Sequence, residues 1–188
     1  KERVRKMNII QNADISILLY IQEHIRKEWM NGFWRTITFL GDGGWFWILL
    51  AVVLLIMKKT RKAGAAAAIA LVIGALITNV CLKNMVARVR PYDTYSALIP
   101  IVTKPIDWSF PSGHTCASFA SAFVYFRLLP KKYGIPALVL ACMIAFSRLY
   151  LGVHYPTDVL VGFLIGLLAS VLAVWMVRRF YDHKKQTA

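Results

Sequence analysis

Lys83, Arg90 and Arg148 are three cations set apart from the clustered basic residues of the chain, and near them in sequence stand two histidines, His114 and His154, and a carboxylate, Asp158. Those types suit phosphoryl chemistry. A phosphate ester brings several negative charges, and its transition state spreads them over the equatorial oxygens. Two guanidinium forks can take those oxygens pairwise, while the Lys83 ammonium acts as a point charge. His154 and Asp158 are four residues apart, so the carboxylate can reach one imidazole nitrogen across a helical turn. Such a contact fixes the tautomer, frees the other nitrogen as a nucleophile and steadies the ring once it becomes cationic. His114 supplies a second imidazole, with a pKa suited to protonating a leaving oxygen.

Ser112-Gly113-His114 follows Pro111 and precedes an apolar run. A helix starting there would offer free backbone amides and the positive end of its dipole to an anion. Gly113 would let the backbone come close, and the Ser112 hydroxyl would add a donor. The same residues also fit an ordinary helix entry with Ser112 as its cap. Arg88 and Lys104 read as side chains that snorkel to an interface. Asp42 and Asp93 are isolated, so the sequence offers no carboxylate cluster for magnesium, and neither a metal nor a cofactor is expected.

The elements that must position these groups follow from composition. The 188 residues are 58% hydrophobic yet carry a net charge of +14, with a mean hydropathy of +0.54. A soluble nucleic-acid binder of that charge would be rich in polar residues and short of apolar runs, and a disordered chain would lack apolar surface, so both classes are excluded. An integral membrane protein fits, with its basic residues in loops and at helix ends. Cys81, Cys116 and Cys142 show no metal or disulfide spacing and read as buried packing residues. No cleavable secretory signal is apparent at the start of the sequence.

A hydrocarbon core needs about 20 helical residues, fewer when the flanks snorkel. Five segments meet this or come close: Trp45 to Met57, Ala63 to Leu82, Thr115 to Leu129, Pro136 to Leu151 with Pro136 in the first turn, and Val159 to Val177. Before them, Ile10, Ala13, Ile17, Leu18, Ile21 and Ile25 recur at helical spacing but are interrupted by Asp14, Gln22, Glu23 and His24. That pattern reads as an amphipathic interfacial helix. Phe33 to Leu40 would dip into the bilayer and break at Gly41-Asp42-Gly43-Gly44; if it crosses fully there are six spans. The expected fold is therefore all-α, a helical membrane bundle of five or six spans, divided into an interfacial segment 1–44 and a bundle 45–188. Gly162 and Gly166 should let helices pack closely within that bundle.

Basic residues also set the orientation. Lys58 to Lys62, Lys131 with Lys132, and Arg178, Arg179, Lys184 and Lys185 fall on one side if the five segments alternate, and that side is the cytoplasm. The long connection Lys83 to His114 and the turn Arg148 to Asp158 then meet on the opposite, extracytoplasmic face. Tyr92, Tyr95, Trp108 and Phe110 in the long connection read chiefly as headgroup-level anchors.

Lys83-x6-Arg90-Pro91, Pro111-Ser112-Gly113-His114 and Ser147-Arg148-x5-His154-x3-Asp158 occur in that order. The set resembles the three-part signature of the type 2 phosphatidic acid phosphatases, a family of membrane lipid phosphatases. The resemblance implies attack by His154 on phosphorus to give a phosphohistidine, with Asp158 behind it and protonation of the leaving group by His114. Lys83, Arg90, Ser112, Gly113 and Arg148 would hold the phosphoryl oxygens. The implied substrates are lipid phosphates or polyprenyl diphosphates, such as phosphatidylglycerol phosphate, phosphatidic acid or undecaprenyl diphosphate, in a bacterial plasma membrane. The related diphosphatases of bacitracin resistance often carry Asp where this chain has Gly113, which favours a broad-specificity lipid phosphatase. Vanadium haloperoxidases share the motifs but are soluble. Transfer of the phosphoryl group to another lipid, and a non-enzymatic membrane protein with an inherited anion site, stay open. No nucleic-acid partner is expected, and the sequence leaves the oligomeric state undetermined.

Overall fold

A computed structural model describes residues 2–186, with side chains placed for residues 9–183. The side chains of Lys184 and Lys185, expected to mark the cytoplasmic side, lie outside them. Among the described residues every regular element is helical: α1 Glu2–Tyr20, α2 Glu28–Phe39, α3 Trp45–Ile56, α4 Arg61–Ala75, α5 Lys83–Val86, α6 Pro91–Thr94, α7 Gly113–Leu128, α8 Lys131–Tyr150 and α9 Pro156–Gln186. Among the described residues four stretches are long and apolar enough to cross a membrane, Glu28–Ile56, Arg61–Thr94, Lys131–Tyr150 and Pro156–His183, and the expected span Thr115 to Leu129 is not one of them.

The bundle is built around α7. This helix has only 16 residues, and it buries side chains nearly all round, from Thr115 and Cys116 through Phe119 to Val124 and Tyr125. Helices α4, α8 and α9 pack directly on it. In lipid the gain comes from close approach and dispersion, because lipid tails are as apolar as the side chains. Ala63, Ala66, Ala67 and Ala70 accordingly give α4 a buried stripe of small residues. A Cβ on Gly162 would lie 2.6 Å from Ser112 O, and one on Gly166 would lie 2.7 Å from Cys116 O. Both glycines therefore pack α9 against the N-terminal turns of α7, as their spacing leads one to expect. The outer faces carry exposed Val52, Val53, Ile56, Leu160, Leu164, Leu168 and Trp175, the kind of surface that lipid requires.

Two local expectations change and a third holds. Helix α8 begins at Lys131, so Pro136 lies inside it rather than in its first turn; near the start of a helix the missing N–H forfeits a single bond. Only Cys116 is buried, and Cys81 and Cys142 lie on the outside. The α2–α3 junction does break at the glycines: Gly43 and Gly44 take φ values of +58° and +71°, conformations that glycine reaches without strain.

Helix α2 lies across the end of α8. Tyr150 Oη lies 3.0 Å from both Lys27 O and Asn31 Oδ1, which share its one proton, and Trp34 packs edge-on against Phe146. The start of α5, the cap of α7, the last turn of α8 and the first turn of α9 come together at this same end of the bundle.

Candidate active site

At that end a cavity of about 560 Å³ is lined by Lys83, Arg90, Gly113, His114, Arg148 and His154. Residues spread over more than seventy positions thus share one wall. Asp158 and Ser112 stand behind this lining, both fully buried. Asp42 and Asp107 also face the cavity, and neither was singled out from the sequence.

His154 sits in the short turn between α8 and α9 and is 2% exposed. Burial lowers its pKa to about 3, with Arg148 and Arg90 adding to the effect and Asp158 opposing it. The ring is neutral at physiological pH. Arg90 Nη1 approaches His154 Nε2 at 3.4 Å; a guanidinium only donates, so the lone pair there belongs to Nε2. His154 Nδ1 stands 3.5 Å from Asp158 Oδ2 and makes no hydrogen bond. The carboxylate is thus aimed at the ring from the expected side, with room to tighten when Nδ1–H becomes more acidic.

Asp158 is itself held from three directions. Arg88 Nη1 donates to its Oδ1 at 2.6 Å, and the Tyr155 amide donates to its Oδ2 at 2.9 Å. Ser109 Oγ donates to the same Oδ2. Arg88 is therefore no snorkelling side chain. Its other arm donates to Asp14 Oδ2 at 2.7 Å, and its guanidinium lies 3.7 Å from the centre of the Tyr155 ring. Asp14, only 2% exposed, also accepts from the Thr157 amide at 3.0 Å and from Thr157 Oγ1 at 2.6 Å. It thereby satisfies an amide of the first α9 turn that no intrahelical acceptor can reach. The polar residue that seemed to interrupt α1 is the one that ties α1 to the site.

Two of the three cations expected to hold a phosphate, Lys83 and Arg90, are already engaged. Lys83 Nζ pairs with Asp107, and Arg90 donates to Asp107 through Nη2 at 2.6 Å and to its main-chain O through Nε at 2.8 Å. Burial raises the Asp107 carboxyl, but Lys83 and Arg90 overcome this and hold it down at about 2. Asp107 keeps its charge at any ordinary pH, and the pairing is lost only as pH falls from the unpaired carboxylate range through about 2. A phosphate bound by Lys83 and Arg90 would have to displace this carboxylate. Asp107→Asn is expected to tighten binding of inorganic phosphate by on the order of tenfold, the scale of one charge-assisted hydrogen bond. Calorimetric titration of the purified protein in detergent measures this; weaker binding would mean that Asp107 serves only to orient the two cations.

Arg148 is 4% exposed. It donates to Thr38 Oγ1 at 2.6 Å, while its buried Nε has no partner. Among the described residues no carboxylate lies within ion-pair distance of it. A buried guanidinium in that condition is set up for an anion. Ser112 caps α7: its Oγ accepts from the Thr115 amide at 3.4 Å and from Thr115 Oγ1 at 3.0 Å. Its amide donates to Asp158 O at 3.0 Å. Both side-chain contacts use Ser112 as acceptor, so its own proton is left to donate. His114 lines the cavity opposite these groups, with Nε2 2.7 Å from Asp42 Oδ1.

The long connection is clamped from the N-terminal segment. Gln22 Nε2 donates to Ala97 O at 2.8 Å, and its Oε1 accepts from the Ile99 amide at 2.9 Å. Arg26 reaches Ile99 O at 2.6 Å and Arg35 reaches Ile101 O at 2.7 Å. Tyr92 and Tyr95 correct another expectation by turning inward: Tyr92 is 6% exposed, and Tyr95 Oη accepts from Gln11 Nε2 at 3.1 Å. Lys104 stays outside, 3.5 Å from Asp93.

Comparison with known proteins places this geometry. A family model described as the PAP2 superfamily matches residues 63–182. The chain is 35% identical over 176 residues to phosphatidylglycerophosphatase B of Bacillus subtilis, covering 88% of this chain and 83% of that one. It is 35% identical over 106 residues to an undecaprenyl-diphosphatase of Sulfolobus acidocaldarius, covering 56% of this chain and 51% of that one. The match thus spans about half the length of that relative and of a bacitracin transport permease protein from Bacillus licheniformis, 52% of which is covered. Among solved structures, the transmembrane PAP2-type phosphatidylglycerolphosphate phosphatase of Bacillus subtilis superposes with a TM-score of 0.74 at 31% identity, over 94% of this chain and 88% of that one. With its apolar helices and these relatives the protein is a multi-pass membrane protein, and the chain belongs to the PAP2 superfamily.

Proposed function

We propose that this protein is a lipid phosphate phosphatase that works through a phosphohistidine at His154. The observation that carries this is the buried, neutral His154, whose Nε2 lone pair faces a cavity lined by Arg90, Lys83 and the partly unpartnered Arg148. His154 Nε2 attacks phosphorus, and Asp158 takes up the charge that develops on the ring through Nδ1. Arg90, Arg148, Lys83 and the Gly113 amide hold the equatorial oxygens, while Ser112, expected beside them, stands behind the lining and caps α7. His114 protonates the leaving oxygen, and water then releases phosphate from the ring. These roles use no metal.

A lipid substrate is supported by the rest of the cavity wall, where Ile48, Leu71, Ala75 and Ala117 from α3, α4 and α7 extend the lining away from the cations. A headgroup phosphate could sit among the cations while its glycerol and tails leave between those helices. The extensive match to a phosphatidylglycerophosphatase favours a phosphatidylglycerol phosphate or phosphatidic acid type of monophosphate. Undecaprenyl diphosphate is the competing substrate, from the shorter match. Phosphate release from a panel of these lipids, run with a chelator present and ranked by kcat/KM, tests the reading. Release from none of them would overturn it.

In the proposed topology α3, α4, α7, α8 and α9 cross the membrane, with segment 1–44 at the interface over the site and the bundle 45–188 below. The Lys58–Lys62 and Lys131–Lys132 turns lie at the end opposite the cavity and face the cytoplasm. A cysteine introduced at Lys104 should react with an impermeant maleimide on intact cells, and one at Lys131 should not. The reverse pattern would invert the orientation.

A further inference from the structure

The Gly41–Gly44 turn between α2 and α3 contains one side chain, and that side chain reaches a histidine 72 positions away in sequence. Asp42 Oδ1 lies 2.7 Å from His114 Nε2. A Cβ at Gly41 would come within 2.7 Å of His114 Cδ2 and 3.0 Å of Ile144 Cγ2, so the ring is seated directly on the glycine backbone. The left-handed φ of Gly43 and Gly44 turns the chain away immediately afterwards. The turn therefore has the form of a cradle with a carboxylate at its lip.

The charges around His114 say what that carboxylate does. Arg148 at the end of α8 and Lys83 at the start of α5 line the same cavity, and like charges in one cavity disfavour a proton on the ring. Asp107 also faces the cavity but is committed to Lys83 and Arg90. Asp42 is the carboxylate in contact with His114. His114 Nδ1 makes no hydrogen bond among the described residues.

We infer that Asp42 is a positioning residue for the leaving-group acid, holding His114 by Nε2–H so that Nδ1 carries and delivers the proton. The inference rests on the phosphatase reading above. In the first step His154 Nε2 forms the P–N bond, and the bond from phosphorus to the lipid oxygen breaks with its electron pair going to that oxygen. The oxygen takes the proton from His114 Nδ1, leaving a neutral ring still bonded to Asp42. In the second step a water oxygen attacks phosphorus and its proton passes to His114 Nδ1. The P–N bond breaks with its pair returning to His154, and inorganic phosphate leaves. Without Asp42, the ring would face Arg148 and Lys83 with no carboxylate in contact, which disfavours the proton it must give.

The test compares two leaving groups. A lipid alkoxide needs a proton in order to leave, whereas the phenolate of p-nitrophenyl phosphate needs almost none. In the full-length protein in detergent, Asp42→Asn should cut turnover of phosphatidic acid at least about tenfold, a fraction of what general acid catalysis supplies. Turnover of p-nitrophenyl phosphate should change much less. The alkaline limb of kcat/KM for phosphatidic acid should move to lower pH, and Asp42→Glu should restore part of the loss. Equal losses on both substrates with an unmoved alkaline limb would overturn the inference, as would full activity of Asp42→Asn. Should Asp42→Asn fail to fold, the same comparison is made with Asp42→Glu, where a selective loss on the lipid supports the inference and an equal loss on both overturns it. Failure of the phosphatase reading looks different, because the unaltered protein would then release phosphate from neither compound.

Discussion

His154→Ala is expected to lower phosphate release by about 10⁴-fold or more, the scale seen when a covalent nucleophile is removed from a preorganised site. The protein should still fold. Asp158 keeps its bonds to Arg88, Ser109 and the Tyr155 amide, none of which involves the imidazole. Substrate should still bind, because Arg90, Arg148 and Lys83 remain, so the loss should appear in kcat with little change in the affinity for inorganic phosphate. The truncation also leaves space where the ring was, beside Arg90. Free imidazole added at millimolar concentration should enter and recover part of the activity, leaving as phosphoimidazole. Unchanged turnover in His154→Ala would remove the covalent assignment.

Arg88→Ala is expected to have the largest effect on stability. It strips the counter-charge from two carboxylates at once, Asp14 and Asp158, which are 2% and 0% exposed. Breaking one buried pair by removing a partner costs about 3–5 kcal/mol, because the remaining charge stays desolvated. The packing of the guanidinium on Tyr155 is lost as well. Turnover should fall too, since Asp158 would rotate away from His154. Arg88→Lys keeps the charge but cannot bridge in two directions, and should lie in between. Thermal unfolding in detergent reads the stability effect. Asp14→Asn should be milder, and the double variant Arg88→Ala with Asp14→Asn should cost less than the sum of the two. Additive costs would show that the Asp14–Arg88 bridge contributes nothing of its own.

The helical bundle and the site were legible in the sequence to different extents. Apolar runs located α3, α4, α7, α8 and α9, although α8 starts at Lys131 rather than Pro136, α9 runs on past Val177, and α7 is not among the stretches long and apolar enough to cross a membrane. Lys83, Arg90, Gly113, His114, Arg148 and His154 stood out through spacing and chemical type, and they share one cavity. Apart from Asp158, the carboxylates did not stand out. Asp42 read as isolated, Asp14 as a break in an apolar pattern and Asp107 not at all, because their partners lie 72, 74 and 24 positions away, and charge pairing across such distances leaves no periodic trace. Asp42 carried one usable signal, its place among three glycines. Arg88 was misread because a single Arg near a helix end is usually at the surface. Its bridge depends on α1 lying over the site, which the polar residues of α1 seemed to argue against. Of the residues that interrupt the apolar pattern, Asp14 bonds to α9 and Gln22 to the long connection.

The most direct measurement is to trap the intermediate. Protein mixed briefly with phosphatidic acid labelled in its phosphate should be quenched in alkali, where phosphohistidine survives, digested, and the labelled peptide identified. Label on the peptide that contains His154, lost on acid treatment and absent from the His154→Ala variant, is the expected result. Turnover at full rate with no label on protein, or with label on His114 instead, would contradict the assignment of His154 as the nucleophile.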